Sequence, residues 1–319
     1  MIQYSIDWVM YNFLKLDASS KIIQSLNYFI YDSIKIMLLL FFMIAVIGFL
    51  RTYLPQKKVK AWLNNKIPLI GNFMASFFGA ITPFCSCSSI PIFISFLEAG
   101  VPLGLAFSFL ITSPVINEYL VVLMWGFFGW KITLAYVTSG ILIGVISGFI
   151  LGKMKLEKYI EKDLISKKVN IKNTKYVNIK QRIDFGIKES GSIVKKLWFW
   201  ILIGVAIGAV IHNFIPESAV HSILEKGGIF TVVLAVLIGI PLYGSCAAIV
   251  PIAVALFDKG FPIGTALAFM MAVSALSLPE AIILRRVMKL KLIAIFFGVV
   301  GLAIIITGYL FNYLQNILI

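Results

Sequence analysis

Apolar residues run along this chain in long blocks broken by short polar punctuation, a period that fits membrane-crossing helices rather than amphipathic or alternating elements. Ile132 to Gly152, Leu197 to Ile211 and Leu292 to the C-terminus carry no group that is charged at neutral pH, and the first and third are long enough to cross about 30 Å of hydrocarbon. A first span is predicted from about Tyr31 to Leu50. Residues 1–30 mix Trp8, Phe13, Leu16, Ile22 and Leu26 with Asp7, Lys15, Asp17 and Lys21, which predicts an amphipathic segment lying at the interface. They carry neither a basic leader region nor a small-residue cleavage site, so they do not read as a signal peptide. From Ile67 to Leu97 two arms of about 14 to 18 residues flank a polar turn, which fits two short spans or one hairpin that dips into the membrane and returns. The next span, Val101 to about Met124, is interrupted at Thr112-Ser113-Pro114-Val115-Ile116-Asn117-Glu118. Proline there removes a backbone donor and crowds the preceding turn, so a break near mid-depth is expected.

The second half repeats the plan. A shift of 160 residues superposes Pro91 on Pro251, Ile92 on Ile252, Gly100 on Gly260, Pro102 on Pro262, Gly104 on Gly264, Ala106 on Ala266 and Phe109 on Phe269, seven identities in nineteen positions. Several are Gly or Pro, so the match reflects duplication and not merely shared apolar composition. Ser277-Leu278-Pro279-Glu280 echoes the stretch Ser113 to Glu118 with a small gap. The organisation expected is an interfacial segment 1–30, a transmembrane repeat 31–152, a basic linker 153–194 and a second transmembrane repeat 195–313.

Composition sharpens the class. With 60% hydrophobic and 13% charged residues and a mean hydropathy of +0.98, the chain is an all-α polytopic membrane protein. Ten-residue alternating segments of the barrel type are missing. The cations behind the net charge of +14 cluster mainly in three places: Arg51 to Lys66, the thirteen Lys and Arg from Lys153 to Lys196, and Arg285 to Lys291. Clusters beside spans are orientation signals of the positive-inside kind, and they argue against nucleic acid as a partner. Cation-rich loops change sides between equivalent positions of the two halves, which predicts two inverted repeats of about five segments each, with short hairpin or broken helices meeting at the midplane.

The chemistry concentrates in Thr82-Pro83-Phe84-Cys85-Ser86-Cys87-Ser88-Ser89-Ile90-Pro91 and its weaker copy, Pro241-Leu242-Tyr243-Gly244-Ser245-Cys246-Ala247-Ala248-Ile249-Val250-Pro251. All three cysteines of the chain fall at this one duplicated place. In a helix Cys85 and Cys87 would point about 200° apart, whereas in an unwound turn both thiols reach one cavity. Thiolates favour soft metals and metalloids, so a thiophilic substrate is one reading. The other is close packing, since Cys, Ser and Gly let membrane helices approach. Candidate substrate-binding residues are Cys85, Ser86, Cys87, Ser88, Ser245, Cys246, Ser113, Asn117 and Ser277. Glu118 and Glu280 stand beside the breaks and are candidates for proton coupling, because a carboxylate inside hydrocarbon is costly to keep. Each also reads as an interfacial helix cap. Glu98 and Asp258 read as solvated turn residues, and His212 and His221 as interfacial ones. No phosphate-binding loop, nucleophile set or metal-ligand spacing is present, so neither cofactor nor resident metal is expected and an enzyme is not.

The run Thr82 to Pro91, followed by Glu98-Ala99-Gly100-Val101-Pro102-Leu103-Gly104 and Thr112-Ser113-Pro114, closely resembles the predicted-permease family that includes efflux permeases for trivalent organoarsenicals. The resemblance implies a multi-pass cell-membrane exporter in contact with lipid and a small-molecule substrate, with Cys85 and Cys87 as suspected ligands of trivalent arsenic. Cys246 joins them only through the repeat alignment. Two alternatives stay open: a transporter of another anion or sulfur compound with incidental thiols, and a membrane thiol oxidoreductase cycling Cys85 and Cys87 through a disulfide.

Overall fold

The computed structural model describes residues 2–17, 20–52, 68–82, 86–98, 100–161, 178–214, 228–242 and 246–318. These form twelve α-helices. They are α1 (Ile2–Asp7), α2 (Lys21–Arg51), α3 (Pro68–Ile81), α4 (Ser86–Glu98), α5 (Leu103–Val115), α6 (Glu118–Lys153), α7 (Ile179–Phe214), α8 (Thr231–Gly239), α9 (Cys246–Asp258), α10 (Ile263–Ala275), α11 (Leu278–Leu284) and α12 (Leu290–Leu318). Among the described residues four stretches are long and apolar enough to cross a bilayer: Ile22–Val46, Leu120–Lys153, Ile263–Leu284 and Leu290–Gln315. The first helix of the fold proper, α2, begins ten residues before the predicted span and runs along α7, held where Ser190 Oγ donates to the Phe41 carbonyl at 2.6 Å and Arg182 donates to the Thr52 carbonyl at 2.9 Å.

The duplication seen in the sequence governs helix boundaries. Helices α4 and α9, and α5 and α10, start and stop 160 residues apart. The turns between them are built alike. Gly100 and Gly260 take φ of 75° and 87°, a left-handed conformation open to glycine at little cost. In the first, Val101 N–H bonds the Phe96 carbonyl and Gly100 N–H the Leu97 carbonyl. In the second, Phe261 and Gly260 bond Leu256 and Phe257 in the same way. Both are the paired closure that ends a helix at a glycine, and Pro102 or Pro262 then opens the next helix.

Every residue of α5 and of α10 is buried, so these two thirteen-residue helices are the centre of the molecule. Each is clamped from the side by a long helix. A Cβ placed on Gly104 would lie 2.8 Å from the Gly148 carbonyl and 2.9 Å from Gly152 Cα, and α5 thus runs antiparallel to the second part of α6. In the other half Gly264 meets Gly308 and Asn312 of α12 in the same sense, and Ile263 N–H donates to Gln315 Oε1 at 3.1 Å. Small residues at these crossings let backbones touch, which is how membrane helices gain packing energy when lipid supplies no hydrophobic contrast.

Helix α3 shows how the first arm runs. Gly71 abuts Leu105 and Gly79 abuts the Phe109 carbonyl and Ser113, so α3 runs parallel to α5. Helix α4 folds back on α5 through Phe93 against Phe107, with ring centroids 5.2 Å apart. Helices α3 and α4 therefore form a hairpin that enters and leaves at one end of the bundle. At 14 and 13 residues they reach about 20 Å each, shorter than the roughly 30 Å of hydrocarbon. Helix α5 and the first part of α6 together make one broken crossing, which turns at Gly129 (φ 78°) before α6 returns.

Two loops meet at the end where α6 finishes. Ile160 pairs with Met288 in an antiparallel bridge, Lys289 N–H donates to the Tyr159 carbonyl at 2.8 Å, and Glu161 N–H donates to the Val287 carbonyl at 3.0 Å. The turn between α11 and α12 thus sits beside the α6 terminus, about 36 Å along that helix from Gly129. At the far end Phe128 contacts Phe257.

Candidate functional site: two broken helices and two hairpin tips

The centre of interest is where α5 and α10 stop. Helix α5 ends at Val115, and Ile116 leaves helical geometry at φ −113° and ψ 88°. Helix α10 ends at Ala275, and Ser277 is extended before α11 begins. A broken helix leaves carbonyls at its C-terminus and N–H groups at the next N-terminus without intrahelical partners, and inside a membrane these must be met by protein or water. In the first half the buried Tyr136 hydroxyl donates to the Val115 carbonyl at 3.0 Å. In the second, Leu278 N–H donates to the Ile240 carbonyl at 2.8 Å. That bond ties the α10–α11 break to the C-terminal end of α8. The matching tip in the first half is equally close, since Gly79 lies against Ser113 and Thr112. Gly239, at the position 160 residues on, lies against Ala272 and Phe269.

Of the candidates named from sequence, Ser113 and Ser277 are buried at the breaks and Asn117 is half-buried between α5 and α6. Cys85 and Ser245 lie outside the described residues. Ser86, Cys87 and Ser88 open α4 and Cys246 opens α9, with side chains outside the described ones. The helices that precede these segments, α3 and α8, end beside the two breaks. The two glutamates part company. Glu280 is buried, 2% exposed, in the first turn of α11, whereas Glu118 is exposed at the start of α6. Pro279 next to Glu280 packs against Gly204 of α7.

Sequence reasoning passed over a polar seam in the first half. Asn72 and Ser76 on α3, Ser108 and Thr112 on α5 and Ser147 on α6 are all buried. Ser108 Oγ donates to Asn72 Oδ1 at 2.9 Å, and Thr112 Oγ1 donates to the Ser108 carbonyl at 2.9 Å. Their signal was spacing: Asn72 and Ser76, and Ser108 and Thr112, are each four apart in otherwise apolar helices and so share a face. The equivalent positions of the second half are Val232, Val236, Ala268 and Ala272, all buried. At these four positions the duplicated scaffold is polar in the first half and apolar in the second, while Ser147 is matched by Thr307. Tyr136 follows the same asymmetry, because its equivalent is Phe296. Removing the Tyr136 hydroxyl as Tyr136→Phe leaves the Val115 carbonyl at the break without that donor. The expected loss is about 1 kcal/mol, with one to two as the upper range for hydrogen bonds between membrane helices. Thermal unfolding of the purified protein in detergent checks it, with Phe296→Tyr as the reverse exchange.

Long apolar helices, broken crossings joined through buried polar backbone, and basic loops at the span ends define a multi-pass membrane protein of the cell membrane. The chain belongs to a family of predicted permeases, which it matches over residues 21–313. It is 25% identical to a putative two-component membrane permease complex subunit of Streptococcus mutans, over 90% of this chain and 94% of that protein. It is also 20% identical to the UPF0718 protein MJ0584 of Methanocaldococcus jannaschii, over 93% and 98% of the two chains. To the UPF0718 protein YcgR of Bacillus subtilis it is 24% identical, over 80% and 85%. No solved structure matches the chain.

Proposed function

We propose that this permease is a secondary transporter with two halves of opposite orientation, exporting a thiophilic small molecule such as a trivalent organoarsenical from a central site. The observation that carries the reading is the cross-over of the halves around the breaks. Helix α4, opened by the Cys87 segment, packs against α11, which follows the break of the other half. Helix α9, opened by Cys246, packs against α6, which follows the break of the first half. Opposite orientation is supported by the turns: Gly100 adjoins the end of the bundle that holds Gly152 and Met288, while its counterpart Gly260 adjoins Ile263 and Gln315 at the other. Repeats of that kind place a substrate at mid-depth, where half-helix ends face one another, and reach each side alternately by rocking one unit against the other.

In this reading Cys85, Cys87 and Cys246 supply soft ligands, Ser86, Ser88, Ser245, Ser113, Asn117 and Ser277 line the path with small polar groups, and Glu280 or Glu118 carries protons. The basic end, with Lys153, Lys155, Arg285 and Lys289, faces the cytoplasm by the positive-inside rule. The test is growth under trivalent methylarsenical. Cells expressing Cys85→Ser/Cys87→Ser are expected to lose the resistance that the wild-type chain confers, at equal protein levels in the membrane. Full resistance in that variant overturns the thiol site while leaving the permease fold intact.

A further inference from the structure

At the basic end the meeting of two distant loops builds a second feature. The antiparallel bridge from Ile160 to Met288 and the bond from Lys289 N–H to the Tyr159 carbonyl fix Tyr159 between segments that belong to different halves. As a result Lys158 Nζ stands 5.1 Å and Lys291 Nζ 5.4 Å from the centre of the Tyr159 ring. Both lysines are exposed. Arg285 is engaged elsewhere, on Glu161 at 3.2 Å and the Met288 carbonyl at 3.2 Å, and Lys153 lies over Phe149. Two ammonium groups from different halves thus stand about one ring, and an anion within reach of both is held by two charge-assisted hydrogen bonds. The phenol of Tyr159 registers the same field, its pKa held below the usual value by Lys291 first and also by Lys158.

We propose that Lys158, Lys291 and the Tyr159 edge bind the phosphate group of an anionic phospholipid in the leaflet at the basic end. The surroundings favour a lipid over a free anion. Lys158 follows the end of α6 and Lys291 lies in the first turn of α12, both helices of spanning length, so the pair sits at headgroup depth. Beside the lysines, Leu290 is 69% and Met154 47% exposed, offering apolar surface where acyl chains begin. A cluster serving only as an orientation signal needs charge on one side of a span, not convergence of two loops on a single ring. Because the site joins the end of one half to the middle turn of the other, a bound headgroup bridges the two.

The test is thermal unfolding of the purified full chain titrated with phosphatidylglycerol, phosphatidylcholine or inorganic phosphate. Phosphatidylglycerol is expected to raise the melting temperature of the wild type, with the other two giving little. Each lysine replaced, as Lys158→Gln or Lys291→Gln, is expected to weaken the phosphatidylglycerol response about fivefold. The double variant Lys158→Arg/Lys291→Arg keeps the response, which separates loss of charge from misfolding. Equal responses of wild type and the double glutamine variant overturn the site. Stabilisation by inorganic phosphate that competes with the lipid overturns the assignment to a lipid. Neither result bears on the thiol site, which resistance to arsenicals reads separately.

Discussion

Replacing Gly148 by valine is expected to remove most folded protein from the membrane. A Cβ at this position would lie 2.7 Å from the Gly104 carbonyl and 2.8 Å from Ser108 N, in addition to striking Ser108 Oγ. The first two are backbone atoms of a buried helix, so no rotamer change relieves them and α5 must move away from α6. Overpacking of a core costs about 1–3 kcal/mol for a few added atoms, and the upper end applies where backbone has to shift. The displacement also carries Thr112 and Ser113 away from α3, since the same helix face holds Gly79 and Asn72. Gly264→Val should act alike in the second half, where the added atoms meet Gly308 and Asn312 of α12. Gly126→Val is the control, because nothing lies within 4 Å of a Cβ there. Size-exclusion profiles and melting temperatures of the three variants in detergent decide the matter. A Gly148→Val protein that melts with the wild type would mean that the two helices are not packed as described.

How much of this was legible beforehand depends on what each residue type signals. Glycine and proline carry backbone information directly, so the repeated Gly100 and Gly260 turns and the breaks near Pro114 and Pro279 could be read from one sequence. The fold-back of α3 and α4 could not, because an apolar arm of 14 residues has the same composition whether it stops at mid-depth or tilts across. The contact of Gly79 with Ser113, a long-range fact, is what puts the end of α3 beside the break. The glutamates illustrate a second limit. Glu118 and Glu280 follow equivalent breaks, yet one is the first residue of its helix and the other the third. Two helical residues amount to about 200° of rotation, enough to turn one carboxylate inward and the other out. The polar seam from Asn72 to Ser147 was visible only as spacing, and spacing without a partner helix does not say which face is buried. Cys87 and Cys246 fall in the first turns of α4 and α9, and Cys85 lies outside the described residues.

That difference between the glutamates sets the last prediction. If protons drive export through this site, Glu280→Gln is expected to lower proton-coupled transport at least tenfold, and Glu118→Gln to leave it within about twofold. Glu280 is buried where α11 packs against α7 and α4, so a change in its charge during the cycle would alter how α11 fits there. Gln keeps the shape and one acceptor while fixing the neutral form, which stops a cycle that needs both states. Glu118 already faces outward, and its charge state should alter packing little. Proteoliposomes loaded with trivalent methylarsenical and given a pH step provide the rate, and melting temperature provides the check on folding. A Glu280→Gln protein that keeps its stability and its pH-driven rate would remove this carboxylate from the mechanism. One that keeps exchange of substrate without a gradient while losing the pH-driven component would assign it to coupling rather than to substrate binding, because the path through the breaks would still be open.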